Sequence, residues 1–377
     1  MEQTIISAIS AFGFDFYRET LVREEAENTL ISPLSIYLAL AMLYNGAEGA
    51  TREEMDRALR LHGMSLDRMN ASCGALIQRL GEADPVVKLS IANSIWYATR
   101  WPEPLTGFVG AVRDVLQGEV RGLDFSDDGA ADVVNDWVSQ HTEGKINKIL
   151  ERTNKDDLIC LVNAIYFHGP WLFPFQEWKT SDRDFHLRDG RTIEVPFMEK
   201  TDDMACYRGQ DMTLVELTYG QGQSFSLYAI LPADAGVGMS AFAGSFDESR
   251  LLAAIGGIKD AYFKLEIPKW EYEYTVSDMR PQLEVMGLGG VFGEPDLSRM
   301  YPSDLPVKLS QSIHKTYISV NEEGTEAAAV TALVVAAGAM PFSRKEPPVV
   351  RFDRPFLYFI MEKGGGAILF MGVVEKP

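Results

Sequence analysis

Residues 325 to 340 of this 377-residue chain resist assignment to any single structure. They read Thr-Glu-Ala-Ala-Ala-Val-Thr-Ala-Leu-Val-Val-Ala-Ala-Gly-Ala-Met, with one charge and no proline. A strand-like run, Ile313 to Val320, and an acidic joint, Asn321-Glu322-Glu323-Gly324, precede them; Pro341, Pro347 and Pro348 follow. A surface loop is normally built from turn formers such as Pro, Asn, Asp and Gly. Here small and β-branched residues take their place. Thr, Val and Leu suit a strand, and the alanines suit a helix slightly better.

Taken at alternate positions, Thr325, Ala327, Ala329, Thr331, Leu333, Val335 and Ala337 form one face of a strand. Glu326, Ala328, Val330, Ala332, Val334 and Ala336 form the other. Either face tolerates burial, Glu326 apart. One reading is an ordinary buried strand or helix. The other is a segment with two destinations, an exposed loop and a central strand.

The rest of the chain sets the context. Apolar periodic segments run from end to end, with no Gly/Ser linker, low-complexity tract or repeat, so a single domain over residues 1–377 is expected. No apolar run reaches the ~20 residues that span a bilayer, so no membrane is expected. The N-terminus, Met1-Glu-Gln-Thr-Ile-Ile, lacks the basic and apolar regions of a signal peptide, and cytoplasmic and secreted locations both stay open. Cys73, Cys160 and Cys206 are widely spaced and give neither a disulfide framework nor a zinc pattern. A net charge of −19 argues against nucleic acid or heparin as partner, because phosphate and sulfate contacts need clustered Lys and Arg.

Read in order, residues 2 to 23 are helical, and Ser32 caps a buried helix that begins at Pro33 and ends near Asn45. Thr51 with Glu54 forms a capping box. Helices are expected over Ser65–Leu80, Glu103–Leu116, Ala130–His141, 240–256 and Thr275–Met286. Strands are expected over Val86–Tyr97, Leu158–His168, Phe225–Leu231, Tyr262–Pro268 and Ile313–Val320. Phe356–Met361 and Ala367–Val373 read as a final hairpin. Leu158–His168 is nearly all apolar, as a strand buried on both faces would be, and Asn163 is its anomaly. Helices early and strands late give an α+β domain with large antiparallel or mixed sheets.

Catalytic patterns are missing. None of His62, His141, His168, His186 and His314 stands in ligand spacing, there is no Gly-x-Ser-x-Gly, and Walker A is absent. No enzyme active site, metal or cofactor is expected.

Val320-Asn-Glu-Glu-Gly-Thr-Glu-Ala-Ala-Ala329 resembles the reactive-loop hinge of the serpins, and Val350-Arg-Phe-Asp-Arg-Pro-Phe-Leu-Tyr-Phe-Ile360 resembles their C-terminal signature. Phe167-His-Gly-Pro-Trp171 is similar to the family's motif at the top of its central sheet. Ser32, Ser35, Asn163 and His314 match the polar cluster beneath that sheet. The resemblance covers essentially the whole chain. It implies the serpin fold, with three β-sheets, eight or nine helices and an exposed reactive-centre loop at about 323–348. It implies a monomer that inhibits serine proteases as a suicide substrate, with a non-inhibitory carrier or chaperone as the alternative.

Under that resemblance Glu322, Glu323, Gly324, Thr325, Glu326, Ala327, Ala328 and Ala329 form the hinge. Ser32, Ser35, Asn163, Trp171 and His314 form the region where the sheet opens. A histidine changes charge near neutral pH, so protonation of His314 is expected to loosen that region. Residues 65 to 80 carry only Arg68 and Arg79 as cations, so the basic helix by which some members bind heparin is missing. Family spacing places the reactive bond at Gly338–Ala339, which favours an elastase-like or subtilisin-like target. Met340, Phe342 and Arg344 are alternatives, because the segment down to Pro355 is longer than is usual in the family. Arg344 would mean a trypsin-like target. Brief treatment with elastase should release a C-terminal fragment whose mass begins at Ala339; a fragment beginning at Ser343 or Lys345 would move the bond.

Overall fold

The computed structural model describes residues 2–23, 28–302, 305–325 and 346–377. The first part is mainly helical: α1 (Glu2–Leu21), a short β1 (Thr29–Ile31), α2 (Pro33–Gly46), α3 (Gly49–Ala58) and α4 (Leu66–Glu82). β2 (Lys88–Ala98), α5 (Thr106–Gly110), β3 (Glu119–Leu123), α6 (Ala130–His141) and β4 (Ile159–Pro170) follow. Strands dominate thereafter: β5 (Ser181–His186), β6 (Thr192–Arg208), β7 (Met212–Tyr219) and β8 (Phe225–Pro232). After α7 (Met239–Gly244) and α8 (Glu248–Gly256) come β9 (Lys259–Pro268), β10 (Trp270–Val276), α9 (Arg280–Val285) and β11 (Leu309–Val320). The chain ends with β12 (Gly324–Thr325), β13 (Val349–Arg351), β14 (Phe356–Glu362) and β15 (Ile368–Val374). This is the expected α+β architecture, with nine α-helices among the described residues.

Two hydrogen-bonded networks hold the strands. Six strands run in the order β10-β11-β12-β4-β2-β3, and β11 also pairs with β4 directly. The other network runs β1-β15-β14-β8-β7-β6-β9-β13, with β5 on β6. The 17-residue β6 joins its two halves, pairing with β5 and β9 over most of its length and with β7 at its end. The second and third of the three expected sheets are thereby continuous. The six-stranded sheet is covered on both faces. Trp137, Val134 and Val138 of α6 pack with Trp96, Val162 and Ala164 in a separate core on one face, while Leu161 and Ile165 join the main core on the other. Both faces of β4 are dry, which is why its sequence is so uniformly apolar.

Several elements begin where the sequence places them, and the differences have local causes. Thr51 lies inside α3, whose N-cap is Glu48. The capping-box side chains are engaged elsewhere: Thr51 Oγ1 accepts from the Asp296 N–H at 2.8 Å and Glu54 from the Gly290 N–H at 3.1 Å. The helix expected over Glu103–Leu116 is α5 alone, followed by a wider turn of π-helix at Ala111–Val115. Residues 240–256 divide at Asp247, which caps α8 by accepting from the Arg250 N–H at 2.8 Å. The helix expected from Thr275 is the end of β10, where Trp270, Tyr274 and Val276 are buried at even spacing, and α9 starts only at Arg280.

Candidate functional site

β4 and β11 are parallel neighbours from Ile159/Leu309 to Ile165/Thr316. Beyond that row they part, and β12 enters the gap antiparallel to both. Thr325 stands opposite Val320 on one side and Gly169 on the other, and Gly324 opposite Pro170. The chain reaches this position through a tight reversal after β11. Asn321 Oδ1 accepts from the Glu323 and Gly324 N–H groups at 2.9 and 3.2 Å, and the Asn321 N–H donates to the Gly324 carbonyl at 2.9 Å. Glycine is required at 324 because the backbones touch. A Cβ there would lie 2.2 Å from the Gly169 carbonyl oxygen.

Thr325 is buried, and its hydroxyl lies 2.6 Å from that of Tyr219. Tyr219 stacks on Trp171, with ring centroids 4.4 Å apart. The Trp171 indole donates to the Asn321 carbonyl at 2.9 Å, and its N–H to the Glu323 carbonyl at 2.8 Å. Glu322 is held from two sides. Its carboxylate accepts from the Thr180 hydroxyl at 2.7 Å and meets Lys269 Nζ at 2.9 Å, while its carbonyl accepts from the Phe175 N–H at 2.8 Å. Burial alone would raise the Glu322 carboxyl, but Thr180 and Lys269 outweigh it and hold the group below the usual range.

A second cluster lies six residues down the same strands. Asn93, Asn163 and His314 occupy one row across β2, β4 and β11. The N-terminus of α2 sits beneath them. The Ser32 N–H donates to His314 Nε2 at 3.1 Å, so the ring proton is on Nδ1 and is donated to Asn163 Oδ1. Asn163 Nδ2 donates to Ser35 Oγ and to Asn93 Oδ1. Asn93 returns a bond to the Ser35 carbonyl at 3.3 Å, and Ser32 Oγ caps the helix at the Ser35 N–H, 3.2 Å. Every polar atom in this row that needs a partner finds one within the cluster, as burial demands.

The structure thus brings Ser32, Ser35, Asn163 and His314 together. It groups Trp171 separately with Glu322, Glu323, Gly324 and Thr325. Glu326, Ala327, Ala328 and Ala329 of the expected hinge lie outside the described residues, as do Gly338, Ala339, Met340, Phe342 and Arg344. Sequence reasoning missed Asn93, Tyr219, Thr180 and Lys269. Asn93 carried a signal: it interrupts the face Leu89, Ile91, Ile95 as Asn163 interrupts its own strand. The other three are remote in sequence and carry no comparable mark.

One expectation fails. His314 is fully buried, and that burial drives its pKa down to about 3. With Nε2 already accepting from a fixed backbone N–H, a second ring proton would face a donor. His314 therefore stays neutral through the physiological range and does not titrate near pH 7.

The chain matches the family model "Serpin (serine protease inhibitor)" over residues 7–377. It is 31% identical to plasminogen activator inhibitor 1 of Sus scrofa, covering 97% of this chain and 91% of that one. The native structure of tengpin, a thermophilic serpin, superimposes with a TM-score of 0.89 at 28% identity, covering 99% of this chain and 94% of that one. Human thyroxine-binding globulin complexed with thyroxine gives a TM-score of 0.90 at 26% identity, with each chain fully covered.

A histidine held below its unfolded pKa binds fewer protons folded than unfolded, so its contribution to stability is complete above about pH 6.5 and is lost as pH falls toward 3. Between pH 7 and 5 the loss should approach about 2 kcal/mol, above the range where most carboxylates titrate. Urea titrations should show this slope in the wild type and a flatter one in His314→Gln. Equal slopes would contradict the assignment.

Proposed function

Because the chain belongs to the serpin family, we propose that it is a serine protease inhibitor that traps its target by inserting its own cleaved loop between β4 and β11. The family consists mostly of protease inhibitors. The observation that carries the finer reading is the place of Thr325. A strand has already been started in the gap, antiparallel to both neighbours, at the point where the ambiguous stretch begins.

Continuing that strand is a matter of register. Six residues on from Thr325 is Thr331. Six back along β4 from Gly169 is Asn163, and six back along β11 from Val320 is His314. Insertion separates Asn163 from His314, which would otherwise leave buried polar groups unpaired at roughly 1–3 kcal/mol each. Of the inward-facing set after Thr325, only Thr331 is polar, and the register delivers its hydroxyl to that row. The alternate set, from Ala328 to Ala336, would face α6 with small and β-branched side chains.

In this mechanism the protease serine attacks the reactive bond and forms an acyl-enzyme. Cutting frees the loop's N-terminal half, and roughly 14 residues at ~3.3 Å each carry the tethered enzyme about 45 Å. Displacing catalytic groups costs about 10³–10⁴ or more in rate, so deacylation stops. New backbone hydrogen bonds at ~1 kcal/mol net apiece, with side-chain burial, drive the movement. The uncut form is then held kinetically, and its persistence is a rate. The reactive bond proposed is Gly338–Ala339, and the target an elastase-like or subtilisin-like enzyme. The likeness to thyroxine-binding globulin favours a second reading, a carrier. The inward-facing hinge residues Thr325, Ala327 and Ala329 are small and uncharged, which speaks for inhibition.

Wild-type protein with pancreatic elastase or subtilisin should give an SDS-stable complex. Thr325→Arg, which must bury a charge beside Tyr219, should be cleaved and released without complex. Thr331→Val should shift the partition the same way, more weakly. Complexes formed equally by all three proteins would refute strand insertion in this register.

A further inference from the structure

The segment between β4 and β5, residues 171 to 180, is the strap that holds the hinge. Trp171, Phe175 and Thr180 bond Glu323 or Glu322, as described above. Between these anchors the strap points two aromatic rings at solvent. Phe173 is 67% exposed and Trp178 is 78% exposed. Among the described residues only Tyr262 joins them as an exposed aromatic, at 37%. Each ring carries a lysine against it. Lys200 Nζ lies 5.1 Å from the Phe173 ring centre and donates to the Phe173 carbonyl at 3.0 Å; Lys179 Nζ lies 5.1 Å from the Trp178 ring.

Scattered exposed apolar residues need no explanation. This pair differs in its position. Each ring is two residues from an atom bonded to the hinge, within about 8 Å along the chain. Both rings are mostly exposed, so truncating them should cost the fold little. Exposed Trp and Phe are the residue types that become anchors when a partner covers them.

We propose that Phe173 and Trp178 form a secondary docking surface for the body of the protease that the loop recruits. The inference rests on the inhibitory reading above. The described chain stops at Thr325, beside this strap, and resumes at Glu346, so an enzyme bound to residues 326–345 is tethered within that segment's length of both rings. Lys200, anchored on the Phe173 carbonyl, and Lys179 lie against the two rings and are open to the same contact. Docking there tightens the non-covalent encounter complex, so the effect falls on the rate of inhibition and leaves the chemistry of the trapped state alone.

The test compares wild type with the double variant Phe173→Ala/Trp178→Ala against pancreatic elastase, subtilisin and trypsin. The melting temperatures of the two proteins should agree, since both side chains are exposed. The second-order inhibition rate should fall about tenfold for the enzyme that wild type inhibits best, with the yield of SDS-stable complex unchanged. Complexes formed at an unchanged rate would overturn the docking surface and leave the inhibitory reading intact. No complex with any of the three enzymes would overturn both. A double variant that instead loses a dimer present in the wild type, by analytical ultracentrifugation, would assign the rings to a second copy of the chain and overturn the proposal.

Discussion

The seam between β4 and β11 governs this molecule. Two central strands of a sheet buried on both faces run side by side for half their length and then separate. Backbone pairing in such a place is normally permanent, because an open seam would bury unpartnered N–H and C=O groups. Here the upper half is kept open by a two-residue insert, Gly324–Thr325, which satisfies both edges locally. The lower half is closed by direct strand pairing and by the row Asn93–Asn163–His314. Among the described residues the seam is therefore neither fully closed nor fully filled.

The two halves of the seam are pinned by different chemistry. At the head the pins are an aromatic stack, a hydroxyl pair and the carboxylate of Glu322 between Thr180 and Lys269. Lower down the pins are neutral amides, hydroxyls and an imidazole that burial keeps uncharged. The second set can be exchanged for new partners of the same kind without moving a charge through the core. The first set ties residues 321 to 325 to the strap that bears Phe173 and Trp178. The same separation explains the role of α2. Ser32 and Ser35 present the start of that helix to the seam, and a helix buried on every side cannot follow the strands if they part.

Much of this was legible in the sequence. Ser32 followed by Pro33 announces a capped helix, the apolar run around Asn163 announces a doubly buried strand, and the final hairpin is plain. Residues 322 to 325 were singled out through their likeness to a family motif, and they lie together beside Trp171 and Tyr219. What escaped depends on contacts between distant segments. Thr51 and Glu54 satisfy the local rule for a helix start, yet both serve Asp296 and Gly290 across the fold. Tyr219, Thr180 and Lys269 acquire meaning only beside Thr325 and Glu322. His314 was correctly placed in its cluster but wrongly expected to titrate, since burial and the Ser32 N–H cannot be seen from one chain position.

The central claim is that the intact chain sits above its lowest free energy and that one cut lets β12 lengthen into a complete strand. The direct measurement is the melting temperature of the intact protein beside that of protein nicked once in the 326–345 segment. A gain of tens of degrees on nicking, with the fragments still associated, is what the account requires. Equal melting temperatures would contradict it.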